Sequence, residues 1–297
     1  MKMKNLKYIY LSLNFMEHKH NDTNGDHLHP HLHPKGFLAE SDIQDYFSNN
    51  RPKPKAKKDR YPFEDWFKAD KAGEKHTHHP FTYGHNEKIG GGTFSCDTLT
   101  DEWYRWFLTT PVSDNAMTNP RNPYIKNPSG LMDKNGTFVY LAAASPFQEP
   151  HDFKRIFLSR KAPLLVPVYN IVASIQDSPS LASDPETVEA NLTEEVKKDL
   201  AMIDGDTVEA YFDGEPLFGC CVIRNNLLKI SNIPSDNVLG IPQDRLQESN
   251  STLELCHGGF WLLIKEEKLT PGDHLLYFKA HSPNYEMQAK LLLTVIY

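Results

Sequence analysis

His274-Leu-Leu-Tyr-Phe-Lys-Ala280 and Met287-Gln-Ala-Lys-Leu-Leu-Leu-Thr-Val-Ile296 are short apolar runs, with the turn former Pro271-Gly272 before the first. Runs of this length, rich in aliphatic and aromatic residues, read as β-strands. Five more precede them: Thr207 to Phe212, Leu217 to Arg224, Leu227 to Ser231, Ser251 to Leu255 and Phe260 to Lys265. Asp213-Gly214 supplies another tight turn. Short strands at regular spacing predict a mostly β fold, an antiparallel β-sandwich of jelly-roll or Ig-like type. No period of solenoid length repeats.

Upstream, Thr137 to Ala143 and Leu164 to Tyr169 read as strands, and Pro167 places the second at an edge or a bulge. Two helices flank the sandwich. One spans Thr98 to Leu108, with Thr98 or Thr100 as cap, Asp101 and Glu102 at its positive end, and Pro111 beyond it. The other spans 184 to 202, opened by Ser183-Asp-Pro-Glu186, with Val188, Leu192, Val196 and Leu200 on one face. Asp114 to Gly130 reads as a loop. Residues 17 to 92 hold few aliphatic side chains apart from Phe37 to Phe47 and Tyr61 to Phe67. The division that follows is an irregular, histidine-rich N-terminal arm over 1–92, ending at the Gly90-Gly91-Gly92 joint, and a β-sandwich domain over 93–297.

The 297 residues carry a net charge of -7, which argues against a nucleic-acid binder. Arg51 to Arg60 is a local basic exception and reads as an extended linker. Cys96, Cys220, Cys221 and Cys256 show no zinc spacing. Buried free thiols are the expectation, with a Cys221–Cys256 bridge as the alternative. Met1 to Met16 loosely resembles a signal peptide, but Glu17-His18-Lys19-His20 follows where a small-residue cleavage site belongs. The balance favours the cytoplasm over secretion, and no stretch is long enough for a transmembrane segment.

Trp103-x-x-Trp106, Pro111, Asn119-Pro120, Gly130 and Thr137-Phe-Val-Tyr-Leu-Ala-Ala143 occur in that order. Ala162-Pro-Leu-Leu-Val-Pro-Val-Tyr-Asn170, Val208 to Gly214 and Leu269-Thr-Pro-Gly-Asp-His274 follow. Over about residues 98 to 297 this order resembles a functionally uncharacterised microbial β-sandwich family. The resemblance implies a sandwich and almost no biochemistry. Relatives carry a cysteine after the Asn-Pro loop and another before the proline strand; here those places hold residues such as Met132 and Phe157. The resemblance thus implies a missing family disulfide, which weakens an extracellular reading.

Ten of fourteen histidines lie in the first 85 residues. His27, His29, His31 and His33 alternate, so an extended chain presents them on one side to a divalent ion such as Zn, Ni or Cu. His76, His78, His79 and His85 form a second group. The competing reading is a solvated polar tail. No GxSxG, HExxH or phosphate-binding loop appears. His151-Asp152 near Arg155, and Asp213, His257 and His274 at strand ends, are the groupings that sandwich loops can bring together. Trp103 and Trp106 either pin their helix to a sheet or stack on a partner. Asn119 and Asn170 are candidate ligand contacts, and Asn135, Asn191 and Asn250 are glycosylation sequons.

The expectation is a non-enzymatic binding protein with an unknown protein or glycan partner, its arm binding a divalent metal. A metal-dependent, hydrolase-like enzyme and a pH-responsive tether are the alternatives.

Overall fold

The computed structural model describes residues 82–83, 88–89, 94–114, 124–125, 129–143, 154–176, 186–203, 208–248, 251–282 and 285–297. They form a mostly β fold of two sheets with three helices. One sheet has the order β2 (Ser129–Met132), β3 (Phe138–Leu141), β5 (Leu164–Ser174), β10 (Leu253–Ile264), β8 (Cys220–Ile223), with β9 (Leu228–Ile230) also paired to β10. The other has the order β1 (Tyr124–Ile125), β4 (Lys154–Leu158), β12 (Tyr285–Val295), β11 (Gly272–Ser282), β6 (Glu209–Phe212), β7 (Glu215–Pro216).

β11 and β12 pair along their whole length, so the two runs that open the sequence reading form one long hairpin. Asp213 and Gly214 hold φ of 50° and 83°, the left-handed pair that a two-residue hairpin between β6 and β7 requires. The pairing is not all antiparallel, as the sequence led one to expect. β1–β4, β4–β12 and β3–β5 are parallel. Residues 115–123 lie outside the description, but β1 and β2 occupy part of the stretch expected to be loop.

The first sheet is covered on both faces. On one, Val166, Tyr169, Phe260 and Leu262 share a core with Phe212, Leu276, Phe278, Leu291 and Leu293 of the other sheet. Helix α2 (Val188–Leu200) adds Leu192, Val196 and Leu200 to that core. On the other face lies helix α1 (Cys96–Thr109), through Leu99, Trp103, Tyr104, Phe107 and Leu108. A short third helix, α3 (Gln243–Glu248), adds Leu246. Burial on both faces explains why β5 is apolar at nearly every position instead of alternating. It also decides between the edge and the bulge that Pro167 admitted: β5 is central, and Pro167 is tolerated because the β5–β10 register slips there, with Phe260 opposite Tyr169 and Trp261 opposite Pro167.

β10 replaces two expected strands with one. It runs unbroken through His257-Gly258-Gly259. A Cβ on Gly259 would lie 2.4 Å from the Tyr169 carbonyl oxygen and 2.8 Å from Asn170 Cα, so the missing side chain is what lets β10 meet β5.

Ser95, not Thr98 or Thr100, caps α1. Its hydroxyl accepts from the Thr98 N–H, and the Thr98 hydroxyl accepts from the Ser95 N–H, closing a capping box. α2 begins at Val188 without a side-chain cap; Ser183 to Pro185 lie outside the described residues. Cys96, the first residue of α1, is bridged to Cys220 of β8. This corrects the expectation of free thiols for that pair, because the helix is laid across the strand that carries Cys220. Cys221 and Cys256 are free and buried, so the alternative bridge does not form. Thr82 bridges Ile264, the Tyr83 N–H donates to the Leu263 carbonyl at 2.9 Å, and Ile89 is buried. The stretch read as an arm therefore contributes at least these three residues to the folded body.

Candidate functional site

A cluster of four charged or titratable side chains lies between α1 and the first sheet. Asp97 and Asp101 stand one helical turn apart, on the side of α1 that meets β8 and β10. Just past β8, Arg224 is held by its own backbone, whose N–H donates to the His257 carbonyl at 2.9 Å. Its guanidinium grips Asp101 with two prongs, Nε to Oδ1 at 3.0 Å and Nη2 to Oδ2 at 2.8 Å. Its third nitrogen reaches Asp97 Oδ2 at 3.3 Å. His257, wholly buried on β10, completes the group with Nε2 at 2.8 Å from Asp101 Oδ1. The Tyr104 ring lies over the imidazole at 4.2 Å, tilted by 37°.

The electrostatics follow from this geometry. Burial pushes the Asp101 carboxyl up, but the His257 and Arg224 hydrogen bonds outweigh it and hold the group below its ordinary range. Burial pulls the His257 imidazole down further than Asp101 raises it, so the ring is neutral at pH 7. Opposite an ionised carboxylate, Nε2 carries the proton and donates it. The Nδ1 lone pair then faces the interior and meets no hydrogen-bond partner among the described residues. Trp261 Nε1 is likewise buried without a partner among the described residues, and Asn170, also buried, lies beside the Tyr104 hydroxyl. All three lie on the α1 side of the sheet, since Gly259 opposes Asn170 and His257 and Trp261 alternate about it.

A general base needs its lone pair within reach of a substrate. His257 Nδ1 is sealed beneath Tyr104, and both oxygens of Asp101 already accept from Arg224 or His257. What the cluster does is fasten α1: two carboxylates on the helix, one guanidinium and one imidazole on the sheet. Two long-range bonds strengthen the clamp, Trp103 Nε1 to the Ala142 carbonyl at 2.7 Å and the Tyr104 hydroxyl to the Ile171 carbonyl at 3.0 Å.

No family model, curated protein or solved structure matches this chain.

Of the candidate contact residues, Trp103 is fully buried, stacked on Phe107 and edge-on to Trp261, which bears out the packing alternative over the partner contact. Trp106 is half-buried beside it. Asn170 is buried in β5, a central strand covered on both faces. His27, His29, His31, His33, His76, His78, His79 and His85, with Asn119, His151 and Asp152, lie outside the described residues. Among the residues described, no three His, Cys, Asp or Glu side chains gather as a metal site. No described helix is long and apolar enough to cross a membrane.

Asp213 and His274 do meet, at 2.7 Å, while His257 belongs to the other sheet. His274 Nε2 faces the Thr270 carbonyl at 2.8 Å, so both ring nitrogens look at acceptors, and Phe212 stacks on the ring. Burial lowers this imidazole, but Asp213 and Thr270 raise it further, to a net value above the ordinary one. Asp213 lies in the β6–β7 turn and Thr270 just ahead of β11, so His274 ties the two segments together as a latch.

The sequence reading missed Asp97, Asp101, Tyr104 and Arg224 as a group. Asp97, Asp101, Tyr104 and Leu108 follow the i, i+4, i+7, i+11 spacing of one helix face, which was the available signal. Asp101 was instead read as a partner of the helix dipole.

Proposed function

We propose that the protein is a non-enzymatic binding protein built on a β-sandwich, of jelly-roll or Ig-like type, that contacts a protein or glycan partner. Surface loops and the histidine-rich arm carry the contacts, and the arm takes a divalent metal, Zn, Ni or Cu, on His27, His29, His31 and His33. The order of motifs that resembles the uncharacterised sandwich family supports the fold part of this reading.

One observation carries the functional part. The cluster most like a catalytic triad in composition, Asp101, His257 and Arg224, presents no free carboxylate oxygen and no accessible imidazole nitrogen. It is arranged to hold a helix, which leaves loops and arm for recognition.

The test pairs two measurements on the full-length protein. Chromogenic esters, phosphoesters and glycosides are expected to show no turnover that depends on His257. Hydrolysis abolished in a His257→Gln variant that keeps its circular dichroism spectrum would overturn the reading. Elemental analysis is expected to find metal in the full chain and to lose it on deletion of residues 1–81; metal-free full-length protein removes the metal from the proposal.

A further inference from the structure

Asn135 stands at the exposed tip of the β2–β3 hairpin, in the sequon Asn135-Gly136-Thr137. Asp133 builds that tip. Its Oδ1 accepts from the N–H groups of Asn135 at 2.9 Å and Thr137 at 2.7 Å. Its carbonyl accepts from the Gly136 N–H at 3.0 Å. Gly136 has a φ of 82°, and no atom lies within 4 Å of where its Cβ would stand. The tip is therefore well formed, and Lys134, Asn135 and Gly136 are exposed along it.

Two observations single this sequon out. Asn191, by contrast, lies half-buried in α2 and donates to the Thr187 hydroxyl, and its Thr193 is buried against Cys256. A sugar there would have to displace the packing of α2 on β10. Asn250, and Asn21 in a further sequon Asn21-Asp22-Thr23, lie outside the described residues. The second observation is what adjoins Asn135. β2 is the outer strand of its sheet among the described residues, and its last residue, Met132, is 66% exposed. An open strand edge beside an exposed apolar side chain invites pairing with another chain, and folds commonly cover such edges. A bulky hydrophilic group at the hairpin tip would do so. The Cys96–Cys220 bridge fits the oxidising compartments in which glycosylation occurs, against the cytoplasmic balance of the sequence reading.

We propose that Asn135 is an N-glycosylation site. Asn135 Nδ2 forms a bond to the anomeric carbon of a lipid-linked oligosaccharide. The bond from that carbon to the lipid phosphate breaks, the polyprenyl phosphate group leaves with the electron pair, and the amide gives up one proton. The product places a glycan over Met132 and the β2 edge.

The experiment is intact mass and glycopeptide mapping of the full-length protein isolated from its own cells. A glycan mass on the peptide containing Asn135 is expected, lost in Asn135→Gln and kept in Asn191→Gln. Non-reducing mapping of the same sample is expected to recover the Cys96–Cys220 pair. An unmodified Asn135, or a glycan found on Asn191 in its place, overturns the proposal.

Discussion

His257, His274 and Asp199 show how burial sets the use of an ionisable side chain. His274 is held between two acceptors, so folding raises its proton affinity. A group raised in the fold adds stability that is whole below its unfolded value of 6.5 and is lost as pH rises through the folded value. His274→Gln is therefore expected to widen its deficit in urea midpoint from pH 8.5 to pH 5.5; a deficit independent of pH contradicts the latch. Asp199 is the opposite kind of case. Its carboxyl is buried on α2, near Glu195, with Oδ2 unpartnered among the described residues. Burial, and then Glu195, raise it from 3.8 to about 6. Its contribution is whole below pH 3.8, is lost as pH rises through about 6, and leaves an unpaired buried anion at neutral pH. Asp199→Asn is expected to stabilise the protein by about 2 kcal/mol at pH 8 and to change little near pH 4. Equal denaturant midpoints for the two proteins at pH 8 would refute this account.

At the scale of elements, β10 organises the first sheet, and Gly259 permits it. The atoms that a Cβ would strike belong to the backbone of β5, which cannot rotate away. Gly259→Ala is expected to cost about 3 kcal/mol, or roughly 6–12 °C in Tm. Gly136→Ala, where the space is open and only a positive φ is at issue, is expected to cost about 1 kcal/mol. Similar losses for the two variants in calorimetry would contradict the close-packing argument. The same strand shows why part of the fold was illegible in the sequence. Two consecutive glycines read as a break, because strand propensity does not register an approach of backbone to backbone. Pro167 admitted an edge or a bulge, and only tertiary burial chose the bulge. Ser95 was passed over as the cap because Thr98, its partner in the capping box, carries the same signal three residues later. The strands β11 and β12, the Asp213-Gly214 turn and the apolar faces of α1 and α2 were legible, since local pattern alone determines them.

In the whole molecule, two sheets share a core and α1 is clamped to the outer face of one of them. The candidate site was not legible as a site: Asp97 and Asp101 suit a helix N-terminus equally well, and Arg224 and His257 join them only through the β8–β10 pairing. Once joined, they hold α1 in place. The same clamp is acid-sensitive, because the lowered Asp101 and His257 both lose their stabilising contribution as pH falls. The most direct measurement is a double-mutant cycle on Asp101→Asn and His257→Gln, by urea unfolding at pH 7.5. Each single change is expected to cost about 2–4 kcal/mol, with a coupling of about 1–3 kcal/mol between them. Single variants as stable as the parent protein, with no coupling, would contradict the claim that this cluster exists to hold the fold.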